Sequence, residues 1–245
     1  MTYGIVSDVH GNLTALEAVL ERLKGVDKLV CPGDVVGYGP DPAECISRLR
    51  GLNAVIVLGN HDAAVCGKLD LSWFNPFACE AVQWTREQLS ENDIKWLSTV
   101  PLVCHLDDFV VVHSSLAQPE TFPYISTASD ARMCFEKMEG QRICLVGHSH
   151  VAAVFIQQEG QYHVDCIPMP QGGKVLLESN YRFIINCGSV GQPRDGNPDA
   201  ACVLIDTDAM SAEIIRVPYD VSDVQRRMRK AHLPGMLIQR LTYGM

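Results

Sequence analysis

The sequence predicts an α/β protein, and three observations along the chain carry that reading. The first third alternates short apolar, β-branched runs with segments of helical periodicity in the order β-α-β-α-β, which implies a parallel sheet with right-handed crossovers. The second half is dominated by strand-like apolar runs. Third, ligands in open parallel sheets sit outside the carboxyl ends of the strands. Asp8, His10, Asp34, Asn60 and His61 all fall at such ends.

Residues 2–6 read as the first strand, left through Ser7-Asp8-Val9-His10-Gly11-Asn12. Leu13, Leu16, Val19, Leu20 and Leu23 then recur at helical spacing, with Asn12 as the N-cap. Lys28–Cys31 is a second strand that runs into Pro32-Gly33-Asp34. Beyond the loop 35–40, Asp41-Pro42 starts a helix as N-cap and first-turn proline. The third strand, 54–58, stops abruptly at a glycine, so Gly59-Asn60-His61-Asp62 is read as the loop leaving it. An amide oxygen, an imidazole and a carboxylate in a row are costly at the edge of a core unless something binds them.

Residues 74–98 read as helical, in two pieces broken near Ser90. Strands 102–106 and 109–112 follow, joined by Asp107-Asp108 and ending at His113-Ser114-Ser115. A helix near 127–138 precedes the short buried strand Ile143–Val146, which ends at Gly147-His148-Ser149-His150. Further strands are expected at 151–157, 162–166, 181–186, 201–206 and 213–217. Residues 220–242 alternate charged and apolar positions around Leu233-Pro234-Gly235 and read as two short helices forming a C-terminal cover over 220–245.

With 245 residues and 47% hydrophobic content, one large domain over 1–245 is expected. The N-terminus lacks the layout of a signal peptide and no apolar run is long enough to span a bilayer, so a cytoplasmic protein is expected. The net charge of −9 argues against bulk attraction to nucleic acid or to an anionic membrane. An anionic substrate then needs a local positive centre, which bound metal ions would supply. The ten cysteines show no C-x-x-C spacing, so they read as free, buried small hydrophobes.

Five polar fragments end predicted strands: Asp8-x-His10, Gly33-Asp34, Gly59-Asn60-His61-Asp62, His113 and Gly147-His148-Ser149-His150. Alone, each has a plain structural reading. His113 would be a core-edge histidine, Asn12 a helix cap, Tyr38 a turn residue, and Arg194 the partner of Asp195. Together the fragments offer imidazole, carboxylate and amide donors without a thiol, which fits Mn, Fe or Zn ions better than a soft site. Seven donors are too many for one ion and suit two if a carboxylate bridges.

In order and spacing these blocks resemble the calcineurin-like metallophosphoesterase superfamily, whose pattern runs D-x-H, GD, GNH[DE], a lone H, and GH-x-H. Gly37-Tyr38-Gly39-Pro40-Asp41-Pro42 and Gly188-Ser189-Val190-Gly191-Gln192-Pro193-Arg194-Asp195-Gly196 are similar to a small prokaryotic, phosphodiesterase-like branch. Cys187 departs from that branch, which more often has Asn-Pro-Gly-Ser there.

The resemblance implies a four-layer α/β/β/α sandwich of two mixed β-sheets flanked by helices. It implies that Asp8, His10, Asp34 and His150 hold one metal and that Asp34, Asn60, His113 and His148 hold the other. It implies a dinuclear-metal phosphoester hydrolase that works by in-line attack of a hydroxide shared between the ions. His61 would be the general acid, with Asp62 holding its tautomer. Arg194, Asn12 and Tyr38 are candidate substrate contacts. A small-molecule phosphodiester or nucleotide is the expected substrate, dinucleoside polyphosphates included. The alternatives are a phosphomonoesterase, including a protein Ser/Thr phosphatase, and a non-catalytic scaffold on the same fold. The complete ligand set and His61 count against the scaffold. His105, His163 and His232 match no block and read as structural or solvent-facing.

Overall fold

The computed structural model describes residues 1–107 and 109–245. Its strands are β1 (Thr2–Ile5), β2 (Lys28–Cys31), β3 (Val55–Ile56), β4 (Val103–His105), β5 (Val110–Val112), β6 (Ile143–Val146), β7 (Ala152–Gln158), β8 (Asp165–Pro168), β9 (Gly173–Leu176), β10 (Tyr181–Cys187), β11 (Ala200–Asp206) and β12 (Ser211–Val217). The helices are α1 (Leu13–Arg22), α2 (Pro42–Gly51), α3 (Asn60–Val65), α4 (Pro76–Gln88), α5 (Glu91–Leu97), α6 (Ala128–Phe135), α7 (Val221–Lys230) and α8 (Gly235–Arg240).

The strands form two mixed six-stranded sheets, ordered β3-β2-β1-β11-β12-β9 and β4-β5-β6-β10-β7-β8. Each sheet contains a parallel trio. In the first it is β1, β2 and β3, as the β-α-β-α-β start implied; in the second it is β5, β6 and β10. These six strands feed every polar fragment singled out in the sequence, so both trios deliver their carboxyl-end loops to one place.

Alternation along the strands sets the layers. Tyr3, Ile5 and Val30 of the first sheet meet Val111, Leu145, Phe183 and Ile185 of the second in a shared apolar interior. The intervening residues face outward. Cys31 packs under Leu16, Val19, Ile46 and Leu49 of α1 and α2, while Val110, Val112, Cys144 and Val146 pack under Ala131, Cys134 and Phe135 of α6. The result is the expected helix–sheet–sheet–helix sandwich.

Helix starts follow local chemistry. Asn12 Oδ1 accepts from Ala15 N at 3.1 Å, and Asn75 Oδ1 accepts from Ala78 N at 3.0 Å ahead of Pro76. Ser90 breaks the 74–98 segment because it starts a new helix, exchanging cap bonds with Asp93. Asp41 stands at the head of α2 but its carboxylate does not cap it. That carboxylate accepts from Leu13 N at 3.4 Å and pairs with Arg227 of α7, tying the C-terminal helices to the α1 loop. Tyr38, Ala78 and Ala81 then pack against Val224, Met228, Leu237 and Ile238 of α7 and α8.

Several expectations need correction. The third strand pairs only over Val55–Ile56, and Gly59-Asn60-His61-Asp62 opens α3 instead of a loop. Asp62, three residues after the Gly59 cap, accepts from Gly59 N at 3.2 Å and so starts the helix. The strand expected at 162–166 lies at Asp165–Pro168, and Gly173–Leu176 was unanticipated. Both are edge strands with exposed side chains, so neither carries the alternation that marks a half-buried strand. Of the turn expected at Asp107-Asp108, Asp108 lies outside the described residues. All ten cysteines are free, but Cys166 is exposed and Cys66, Cys79 and Cys104 are half-buried. Among the described residues no helix is long and apolar enough to cross a membrane.

Candidate metal centre

Asp8, His10, Asp34, His148 and His150 all have left-handed backbone, with φ of 52, 50, 53, 66 and 60°. Each such residue costs roughly 1–2 kcal/mol, so the five together cost roughly 5–10 kcal/mol, on the scale of a whole domain's net stability. Strain of this kind gathers at functional sites. Here it is held by bonds between loops. Asp8 N donates to Gly33 O (3.0 Å) and His10 N to Asp34 O (2.9 Å), and Gly147 N donates to His113 O (2.9 Å). Val190 N donates to Ser7 O and Gly191 N to Asp8 O, both at 2.9 Å.

Two glycines are required by close approach. A Cβ at Gly59 would strike the Asp34 carboxylate and amide, and one at Gly147 would strike Ser7 Oγ and the Asp8 carboxylate. The sequence reading did not single out Ser7, whose hydroxyl donates to Asp8 Oδ2 at 2.6 Å.

Three imidazoles have their orientation set by backbone carbonyls. Nδ1 of His10 donates to Val36 O (3.1 Å), that of His113 to Pro32 O (2.7 Å) and that of His150 to Gln192 O (2.6 Å). A carbonyl only accepts, so in each neutral ring Nε2 is the lone-pair atom. His10 Nε2 and His150 Nε2 nevertheless face each other at 3.0 Å. Two lone pairs cannot bond each other, but a cation between them satisfies both.

The inward atoms fall into two groups. Asp8 Oδ1 lies 3.2 Å from His150 Nε2 and 3.9 Å from His10 Nε2. On the other side, His113 Nε2 lies 3.1 Å from Asn60 Oδ1 and 3.2 Å from His148 Nδ1. Asp34 Oδ2 stands between the groups, 3.6 Å from His10 Nε2 and 3.4 Å from His113 Nε2. Asp8–His10–His150 and Asp8–Asp34–His113 each gather ligand atoms within 4.8 Å of one another, and so do His10, Asp34 and His61. All seven side chains that the sequence nominated as ligands therefore meet. The donors are hard and borderline, with two groups around one shared carboxylate, and they fit a pair of divalent ions.

The electrostatics agree. Burial lowers His10 and His150, and lowers His148 to about 3, so these rings are neutral donors. Burial raises Asp8, but its contact with His150 and the positive charge of His113 bring it down to about 2. Burial also opposes ionisation of Asp34, yet the nearby histidines, His113 foremost, hold it well below the usual carboxylate range. His113 is pulled down by burial and raised by Asp34 to about 9, so without metal its Nε2 carries a proton that a bound cation would displace.

His61 is buried, lowered to about 4 by burial, and packed edge-on against His10 (4.8 Å) and Phe74 (5.0 Å). Its backbone N–H donates to Asp34 Oδ1 at 2.8 Å, while its Nδ1 has no hydrogen-bond partner among the described residues. Asp62 is not the tautomer-holding partner that the sequence suggested. Its oxygens accept from the backbone amides of Val35 (3.3 Å), Val36 (3.1 Å) and Gly59 (3.2 Å). Burial and Asp34 raise its carboxyl to about 7. Asp62 therefore fastens the loop that carries Asp34.

Asp34, Asn60, His148 and His150 line the floor of a cavity of about 600 Å³, with Asp8, His10 and His113 behind them. Tyr38 and Arg194 line it, Arg194 Nη2 donating to Tyr38 OH (3.2 Å) and to Gln192 Oε1 (3.1 Å). Asp195 is paired with Arg216, so Arg194 is not its surface partner. Asn12 is buried, and its Nδ2 donates to Gly191 O at 3.0 Å while its Oδ1 caps α1. That arrangement steadies the 188–191 turn and leaves Asn12 off the cavity wall. Trp73, Phe74, Tyr124 and Arg240 also line the cavity and were missed in the sequence. Tyr124 lies parallel to His148, 4.1 Å away. These residues sit in loops or at a helix end, where no periodicity marks them.

Comparison with known proteins agrees with this geometry. Residues 1–210 match the family model of the calcineurin-like phosphoesterase superfamily domain. The chain is 35% identical over 246 residues to the uncharacterized protein MJ0912 of Methanocaldococcus jannaschii, covering 98% of this chain and 97% of that one. A crystal structure of a metallophosphoesterase from Sphaerobacter thermophilus superposes with a TM-score of 0.89 at 40% identity, covering 100% of this chain and 99% of the other. A symmetrical bis(5'-nucleosyl)-tetraphosphatase of Methylococcus capsulatus is 32% identical over 120 residues, 45% of this chain and 42% of that protein, so the similarity spans less than half of the tetraphosphatase. Calcineurin-like phosphoesterases use two divalent metals, and the His/Asp groups described above could hold them. The chain belongs to the calcineurin-like phosphoesterase superfamily and is a metal-dependent phosphoester hydrolase.

Proposed function

We propose that this protein is a phosphodiesterase acting on nucleotide phosphoesters, dinucleoside polyphosphates among them. Asp8, His10, Asp34 and His150 would hold one divalent ion, and Asp34, Asn60, His113 and His148 the other. One observation carries the reading: a single oxygen, Asp34 Oδ2, is flanked at 3.6 and 3.4 Å by the two donor groups at the floor of the cavity. When bound, two such ions lower the pKa of water toward ~7 and offset charge on the phosphoryl oxygens.

The chain's own residues do the rest. His61, buried beside Asp34 and lining the cavity, is neutral in the free site, where burial lowers it to about 4; it would take up a proton as an anionic substrate binds and give it to the leaving oxygen. Asp62 positions it indirectly through the 35–36 and 59 amides. Arg194, held by Tyr38 and Gln192, faces the cavity as a cation for a phosphate oxygen. Asn12 supports the 188–191 turn behind it. The aromatic side chains at the rim, Trp73, Phe74 and Tyr124, suit an organic group on the ester, which favours a diester over a bare monoester. Residues 1–245 act as one unit on this reading, because Arg240 of α8 shares a cavity with Asp34 of the N-terminal loops.

The test is hydrolysis of bis(p-nitrophenyl) phosphate against p-nitrophenyl phosphate by Mn-loaded protein, followed by a dinucleoside tetraphosphate. Preference for the diester supports the reading. Preference for the monoester makes the protein a phosphomonoesterase, and inertness toward all three overturns the catalytic reading.

A further inference from the structure

Two arginines meet on one wall of the cavity without an acidic partner. Arg194 Nη2 and Arg240 Nη1 donate to the same neutral oxygen, Gln192 Oε1, at 3.1 and 3.2 Å. Among the described residues neither guanidinium forms an ion pair, and Asp195, next to Arg194 in sequence, is taken by Arg216. Nε of both arginines and Nε2 of Gln192 are buried with no hydrogen-bond partner among the described residues. Burial and then the charge of Arg194 lower the Arg240 guanidinium. Like charges sharing one neutral acceptor repel, and an anion placed between them relieves that repulsion.

The pair is registered to the metal-facing floor. The Gln192 side chain holds both arginines, while its backbone carbonyl accepts from His150 Nδ1 at 2.6 Å. The Tyr38 ring packs 4.6 Å from His10 and 4.4 Å from His61, and its hydroxyl accepts from Arg194. Arg194 therefore stands at the hydroxyl of Tyr38, with Arg240 joined to it through Gln192, in the same cavity as the floor group where a first phosphoryl would sit. We propose that Arg194, Arg240 and Gln192 form a second anion subsite that takes the phosphoryl group next to the one hydrolysed. The substrate class is then a compound with at least two linked phosphoryl groups. This rests on the phosphoester reading above and adds a residue, Arg240 of α8, from the far end of the chain.

The test compares calorimetric binding of ADP and AMP to Mn-loaded protein, with equal Mn²⁺ in cell and syringe. The two ligands share a base and ribose and differ by one phosphoryl group. Wild-type protein should bind ADP at least about tenfold more tightly than AMP. Arg240→Gln should remove most of that advantage, and Arg240→Lys should restore part of it, since it keeps the charge without the planar fork. Equal affinity for ADP and AMP in the wild type, or an equal loss for both ligands in Arg240→Gln, overturns the subsite. Wild-type hydrolysis of bis(p-nitrophenyl) phosphate is measured in parallel. Turnover without an ADP preference rejects the subsite and leaves the phosphodiesterase, whereas an ADP preference without turnover rejects the phosphodiesterase and leaves the anion subsite.

Discussion

His10 and His150, 140 residues apart in sequence, face each other with their Nε2 atoms 3.0 Å apart, although Val36 and Gln192 carbonyls fix both rings with the lone pair inward. A divalent cation satisfies that pair, so folding and metal binding are coupled. Each ion at a thousandfold excess over its dissociation constant adds about 4 kcal/mol of stability. For a chain of this size that amounts to roughly 8–16 °C in melting temperature. Thermal melts with EDTA and then with excess Mn²⁺ should differ by that order and reverse on re-addition. Identical melts would remove metal from the account.

His61→Ala separates the floor from the proton donor. The variant should retain both ions per chain by elemental analysis and lose about 10²–10⁴-fold in turnover on esters with poor leaving groups. The loss should be smaller with p-nitrophenolate, which leaves without a proton. Loss of metal instead would make His61 a ligand, a role its closeness to His10 and Asp34 permits geometrically.

Asp62→Asn tests the loop fastening. An amide nitrogen would confront the N–H groups of Val35, Val36 or Gly59, leaving buried donors unsatisfied at about 1–3 kcal/mol each. The melting temperature should fall by several degrees and Mn²⁺ affinity should weaken with it, because Asp34 rides on that loop. Unchanged stability with reduced turnover would instead return Asp62 to a direct role beside His61.

Gly147→Ala should damage the site through contact alone, since the new Cβ meets Ser7 Oγ and the Asp8 carboxylate. Overpacking of this kind costs about 1–3 kcal/mol, and metal content should drop. Gly51→Ala, where nothing lies within 4 Å of the new Cβ, is the control and should keep both metal and stability. Equal metal content in the two variants would argue against so tight a fit at Asp8.

The site was legible because apolar, β-branched runs end abruptly in Asp, His and Asn, and burying such groups without a partner is costly. The parallel start was legible for the same periodic reasons, and so was the break at Ser90. The wall of the cavity was not. Arg240 looks like any basic residue in the last turn of a short helix, Trp73 closes a three-residue 3-10 turn and Tyr124 sits in an irregular segment. Nothing in sequence sets Gln192 apart from the Gly-rich turn around it, although its side chain joins Arg194 to Arg240 and its carbonyl orients His150. For Asp62, adjacency in sequence suggests contact with His61, but its oxygens go to backbone amides instead. At the start of a helix an Asp three residues past the cap turns back to the preceding amides.

Anomalous diffraction from crystals grown with Mn²⁺ tests the central claim most directly. The account predicts two peaks about 4 Å apart, one on each side of Asp34 Oδ2, the first against His10 and His150 and the second against His113 and His148. A lone peak remote from Asp34, or none among these histidines, would contradict it.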